Sequence, residues 1–71
     1  MAYDVDELQC RFTYHAPKEG QPEMYESIRK NALHLAYILV EHCPESRELS
    51  LALTHLEEAV FWANAAIARR G

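Results

Sequence analysis

Tyr14 and Arg29 stand fifteen positions apart, with Pro17, Gly20 and Pro22 between them to fold the chain back on itself. A tyrosine ring can stack on a nucleobase, a sequence-tolerant contact worth about 1–3 kcal/mol. An arginine can grip a phosphate with two parallel N–H donors of its planar fork. A pocket pairing the two would suit a small nucleotide. The stretch that holds them, RFTYHAPKEGQPEMYESIRKNA at residues 11–32, gathers aromatics, a histidine and four cations around a Pro/Gly-rich bend. Read as extended chain, RFTYH puts Phe12 and Tyr14 on one side and Arg11, Thr13 and His15 on the other. The same spacing also allows Phe12 and Tyr14 to cap a helical core while Arg29 pairs with Glu26 or Glu23.

Other chemistries are weaker. His34 and His42 lie about 80° apart around a helix, and His55 falls in a different segment. No i, i+4 histidine pair or Cys-x-x-Cys clip is present to specify zinc. Glu57 and Glu58 are adjacent and so diverge on a helix. His42 next to Cys43 does not make a nucleophile–base pair. No enzyme signature and no metal or cofactor set emerges.

The formal net charge of −4 and a pI near 5.4 argue against long nucleic acid, whose binders neutralise many phosphates with a basic face. A small anion needs only one or two cations. Residues 11–32 carry +1 while the rest of the chain carries −5. The N-terminus MAYDVDELQC is acidic and does not read as a secretory signal, and no apolar run approaches the roughly 18 residues of a membrane span. With Cys10 and Cys43 the only cysteines, the expectation is a cytoplasmic chain with reduced thiols. At 71 residues one core is marginal, which points to self-association.

These residues must be positioned by helices. Residues 1–21 read as an N-terminal segment and loop, with one short helical turn before extended chain from residue 11. Pro22 opens a helix over 22–43, whose face is Tyr25, Ile28, Ala32, Leu35, Leu39 and Cys43. Pro44 ends it. Ser46 or Cys43 caps a second helix over 46–68, with the stripe Leu49, Leu53, Leu56, Val60, Ala63 and Ile67. The prediction is all-α: a single domain formed by an antiparallel two-helix hairpin, assembling into a symmetric helical oligomer. Second-face residues such as Met24, Leu33, Ile38, Val40, Leu51, Phe61 and Trp62 mark an interface, unless the N-terminal segment covers them.

TYHAPKEGQPEMYESIRKNA and the later THLEEAVFWANAAIAR resemble the phage anti-CBASS sponges of the second type, whose hairpin domain is shared with a class of anti-Thoeris sponges. The resemblance covers about two thirds of the chain. It implies a hexamer that binds cyclic dinucleotides between protomers without cleaving them, in the cytoplasm of the infected host, and so withholds the host's immune signal. Some members also hold cyclic trinucleotides in separate pockets on the threefold axes. Carried over by position, Tyr14 is the stacking residue and Arg29 the phosphate cation, where the family more often has lysine. Lys30 is the adjacent alternative, and Phe12, His15 and Pro17 would line the same loop. Asn31, Asn64 and Arg69 would serve a second, trinucleotide site. The departure is Ala65, at a position where members often carry an arginine. Two other classes remain as alternatives: a dimeric helical hairpin that binds protein or folded RNA, and a small phosphodiesterase, the weaker of the two.

Overall fold

The computed structural model describes residues 4–71; residues 1–3 of the expected N-terminal segment lie outside the described residues. Three helices account for most of it: α1 over Val5–Phe12, α2 over Gln21–His42 and α3 over Arg47–Arg70, with no strand among the described residues.

Local chemistry marks the start of each helix, by a side-chain cap for α1 and α3 and by Gly20 and Pro22 for α2. Asp4 caps α1 by accepting from the Asp6 amide at 3.0 Å, and Asp6 and Glu7 supply negative charge to the first turn. Gly20 precedes α2 at φ 83, a left-handed conformation that glycine takes without the Cβ penalty. Pro22 then sits in the first turn of α2, where a missing N–H costs nothing. Pro44 forces Cys43 out of helical geometry, to φ −98 and ψ 135. Ser46 caps α3 by accepting from the Leu49 amide at 3.1 Å.

The short link folds α2 and α3 into an antiparallel hairpin about 35 Å long at 1.5 Å per residue. Their facing stripes are half-buried: Tyr25, Ile28, Ala32, Ala36 and Leu39 against Leu49, Leu53, Leu56, Val60, Ala63 and Ile67. Leu35, expected on this face, remains 43 % exposed. No apolar side chain among the described residues is fully buried. The protomer measures 46 × 33 × 13 Å, one helix layer thick. Its radius of gyration of 15.7 Å exceeds the roughly 11 Å of a compact chain this long.

One expectation is corrected. Residues 11 and 12 are the last turn of α1 rather than extended chain, so Phe12 and Tyr14 do not alternate along a strand. The Asp4 cap and the Glu7 carboxylate, which takes Arg11 one turn on and Arg70 of α3, hold α1 helical for two turns instead of one.

Candidate functional site

The loop between α1 and α2 is fastened to the end of α3. Gln21, 6 % exposed, is the only buried polar side chain among the described residues. Its Oε1 accepts from the Lys18 amide at 2.9 Å and its Nε2 donates to the Ile67 carbonyl at 3.2 Å. Lys18 Nζ donates to the Gly71 carbonyl at 2.8 Å, and Cys10 Sγ lies 3.9 Å from the Arg69 carbonyl as a weak donor. Glu7 on α1 accepts from Arg70 Nη2 at 2.8 and 3.1 Å and from Arg11 Nε at 3.2 Å. First Arg70 and then Arg11, through these hydrogen bonds, hold the Glu7 carboxyl below the usual carboxylate range, and the same contact lifts Arg70 above its ordinary value.

This fastening creates an open groove of about 540 Å³ where α1, the loop, the start of α2 and the end of α3 meet. Tyr14, Tyr25, Arg29, Asn64 and Arg69 line it, with Arg11 and His15 at its edge elements. Tyr14 and Arg29, distant in sequence, therefore share one surface. The Tyr14 ring is 85 % exposed. Among the described residues no hydrogen bond or ion pair engages the Arg29 side chain, so the alternative pairing with Glu26 or Glu23 is not formed. His15 is held in place by donating from Nε2 to the Cys10 carbonyl at 2.6 Å; since a carbonyl only accepts, that nitrogen carries the proton.

The remaining sequence candidates lie elsewhere. Lys30 pairs with Glu26 at 2.9 Å and faces a different surface with Glu23, so it does not replace Arg29. Phe12, 82 % exposed, and Pro17 do not line the groove; Phe12 is turned aside because it ends a helix. Asn31, Asn64 and Arg69 do not converge within a protomer. Asn31 donates to the Ser27 carbonyl at 2.7 Å and borders the apolar cleft of Ile28, Leu35, Leu56 and Val60. Asn64 and Arg69 instead join Tyr14 and Arg29.

Sequence reasoning missed Gln21, and missed Tyr25 and Arg11 as lining residues. The Asp4-x-x-Glu7 start could have placed Arg11 on α1, one turn after Glu7. Nothing around Gln21 distinguishes it from a surface glutamine. The arginine absent at Ala65 has a counterpart one turn on: Ala65 and Arg69 line the same groove, as i, i+4 positions must.

Among the described residues no group of His, Cys, Asp and Glu side chains is arranged to hold a metal ion, and no helix is long and apolar enough to cross a membrane. The model of the family described as Acb2/Tad1, hairpin domain, matches residues 6–68. No curated protein and no solved structure matches the chain. The family match spans α1, the groove loop and nearly all of the hairpin, and the chain belongs to the Acb2/Tad1 hairpin-domain family of anti-CBASS and anti-Thoeris sponges, binding proteins not known as enzymes.

Proposed function

We propose that this protein sequesters cyclic dinucleotides, uncleaved, in the cytoplasm of a phage-infected host, and thereby keeps CBASS effectors from being activated. The observation that carries the reading is the placement of Tyr14 and Arg29 in one groove, neither side chain hydrogen-bonded or ion-paired among the described residues. Tyr14 stacks on a base and Arg29 takes a phosphate, with Arg69 as a second cation within the same walls. The groove's volume lies in the ~300–1,000 Å³ range of small-ligand sites, but it is open. A neighbouring protomer closes it, in an assembly of six such as the family resemblance implies. Closure excludes water and strengthens the Arg29–phosphate attraction, since the interaction scales inversely with the local dielectric.

Calorimetry with a cyclic dinucleotide panel tests this, followed by heat denaturation and chromatography of the released ligand. Tight binding and recovery of intact ligand support sequestration. Linear product would make the protein a phosphodiesterase. Absence of binding across the panel sinks the reading and leaves the hairpin as a protein- or RNA-interaction module, a second reading favoured by the exposure of Phe61 and Trp62 at 63 % and 64 %.

A further inference from the structure

His15 keeps one ring nitrogen in reserve. Its Nε2 donates to the Cys10 carbonyl at 2.6 Å, so in the neutral imidazole that nitrogen holds the proton and Nδ1 carries a lone pair. The bond to α1 also orients the ring. Nδ1 has no hydrogen-bond partner among the described residues, and it is open to solvent. Asn64 Oδ1 is the only unpartnered polar atom shielded from solvent in any buried or half-buried side chain described. His15 is half-buried and belongs to the groove lining, so Nδ1 is the ring atom left to meet a ligand.

A phosphodiester oxygen only accepts. Facing a neutral Nδ1 it meets a second lone pair; facing a protonated one it receives a charge-assisted hydrogen bond. An imidazole changes charge between about pH 5 and pH 8, and a nearby opposite charge favours its charged form. The charged side chains lining the groove are Arg11 from α1, Arg29 from α2 and Arg69 from α3, with no carboxylate among the lining residues. Glu7 of α1 is occupied by Arg70 and Arg11. The other titratable groups beside the ring, the Tyr14 and Tyr25 phenols and the Cys10 thiol, bring no negative charge in their ordinary protonated forms. A negative partner for the His15 imidazolium therefore arrives only with the ligand.

We infer that His15 is a phosphate contact completed by the ligand itself: a proton from solvent adds to Nδ1 as the phosphate enters, and Nδ1 then donates to a phosphate oxygen. Nε2 keeps its proton and its bond to Cys10 throughout. The complex holds more protons than the free protein, so binding tightens as pH falls. The inference rests on the dinucleotide reading above and adds to it a ligand contact that depends on pH.

The test is calorimetry of wild-type protein with cyclic di-AMP, cyclic di-GMP and cyclic GMP-AMP at about pH 6 and about pH 8, each in two buffers of different ionisation enthalpy. The phosphodiesters and bases of these ligands keep their charge over that interval, and a heat that differs between buffers reports proton uptake. Affinity should be greater at the lower pH, by up to about tenfold per pH unit for one linked proton. H15Q keeps an N–H donor for the Cys10 carbonyl but cannot take the proton. Its affinity should not vary with pH nor its binding heat with buffer, at an unchanged elution volume. Wild-type affinities equal at both pH values, with no proton uptake, overturn the inference. So does uptake that persists in H15Q, which assigns the proton to another group. Should H15Q misfold, imidazole 15N shifts of wild-type protein decide: Nδ1 of His15 should be more protonated in the complex than in the free protein at the same pH, and unchanged shifts overturn the inference. If no ligand binds at either pH, the dinucleotide reading itself fails, and this inference with it.

Discussion

Gln21 Nε2 donates to the main-chain carbonyl of Ile67 at 3.2 Å, joining the first turn of α2 to the last turn of α3. The last carbonyls of a helix lack intrahelical donors. At the end of α3 other segments add donors: Lys18 of the loop to Gly71, Cys10 of α1 weakly to Arg69, and Gln21 to Ile67, whose carbonyl also accepts the Gly71 amide at 3.0 Å. The segment bearing Tyr14 is thus held on both sides to the last turn of α3. Gln21→Ala removes both arms of the link and strands the Lys18 amide. The expected cost is about 1–3 kcal/mol, the penalty for orphaning a buried polar group. Urea unfolding at fixed protein concentration measures it, and dinucleotide affinity should fall in parallel because the loop bearing Tyr14 loses its anchor to α3. An unchanged midpoint would mean that the link contributes nothing.

Tyr14 and Arg29 should be separable from the fold. Both side chains are exposed and neither is bonded among the described residues, so their removal leaves no cavity and no stranded partner there. Tyr14→Ala forfeits a stacking contact of about 1–3 kcal/mol, and tenfold or greater loss of affinity is expected. Tyr14→Phe keeps the ring and should keep most of the binding. Arg29→Ala should lose more than Arg29→Lys, which retains charge but not the bidentate fork. Size-exclusion volumes should match wild type throughout. Dissociation of either variant would make these residues structural.

How much of this is legible in the sequence follows from the range of each signal. The three-four stripes of α2 and α3 and the stop at Pro44 are local patterns, and the hairpin follows from them to within one or two residues at each end. The convergence of Tyr14 and Arg29 is readable because Pro17, Gly20 and Pro22 force a turn between them. Gln21 is not readable, since its partner Ile67 lies 46 positions away and no periodicity couples them. Aromatic alternation misplaces Phe12, because the Asp4 cap overrides it and extends α1. Lys30 and Arg29 are neighbours in sequence, yet the 100° between adjacent helical positions sends one to Glu26 and the other to the groove.

The Glu7 carboxylate should make docking of α1 sensitive to acid. Its hydrogen bonds with Arg70, and secondarily Arg11, lower its folded pKa. The stabilisation is therefore fully present above the ordinary carboxylate pKa of about 4.3 and is lost as pH falls through the lowered folded value. Backbone amide shifts of Val5–Phe12 should stay constant from neutral pH down to about pH 5 and move below it. E7Q should shift these resonances at neutral pH and remove much of the acid transition. The effect is small, as for exposed ion pairs generally. An acid transition in E7Q identical to wild type would assign it to other carboxylates.

The flatness of the protomer is the basis for expecting its stability to depend on neighbours. A layer 13 Å thick buries each helix on one side only, and two apolar surfaces remain outside the hairpin seam. Leu33, Tyr37 and Val40 follow at four and three along α2 and are 53 %, 65 % and 55 % exposed; Phe61 and Trp62 project from α3. Covering such side chains contributes about 1.5–3 kcal/mol each, comparable to the whole stability expected of a chain this small. Under the proposed self-association, neighbours supply the core that the hairpin lacks, and unfolding should be concentration-dependent. The double variant F61E/W62E should elute as a smaller species, confirmed by light scattering, and show reduced helical circular dichroism because the isolated hairpin has no fully buried apolar residue among those described. Wild-type protein that stays monomeric at micromolar concentration and unfolds at a midpoint independent of dilution would refute the dependence on neighbours.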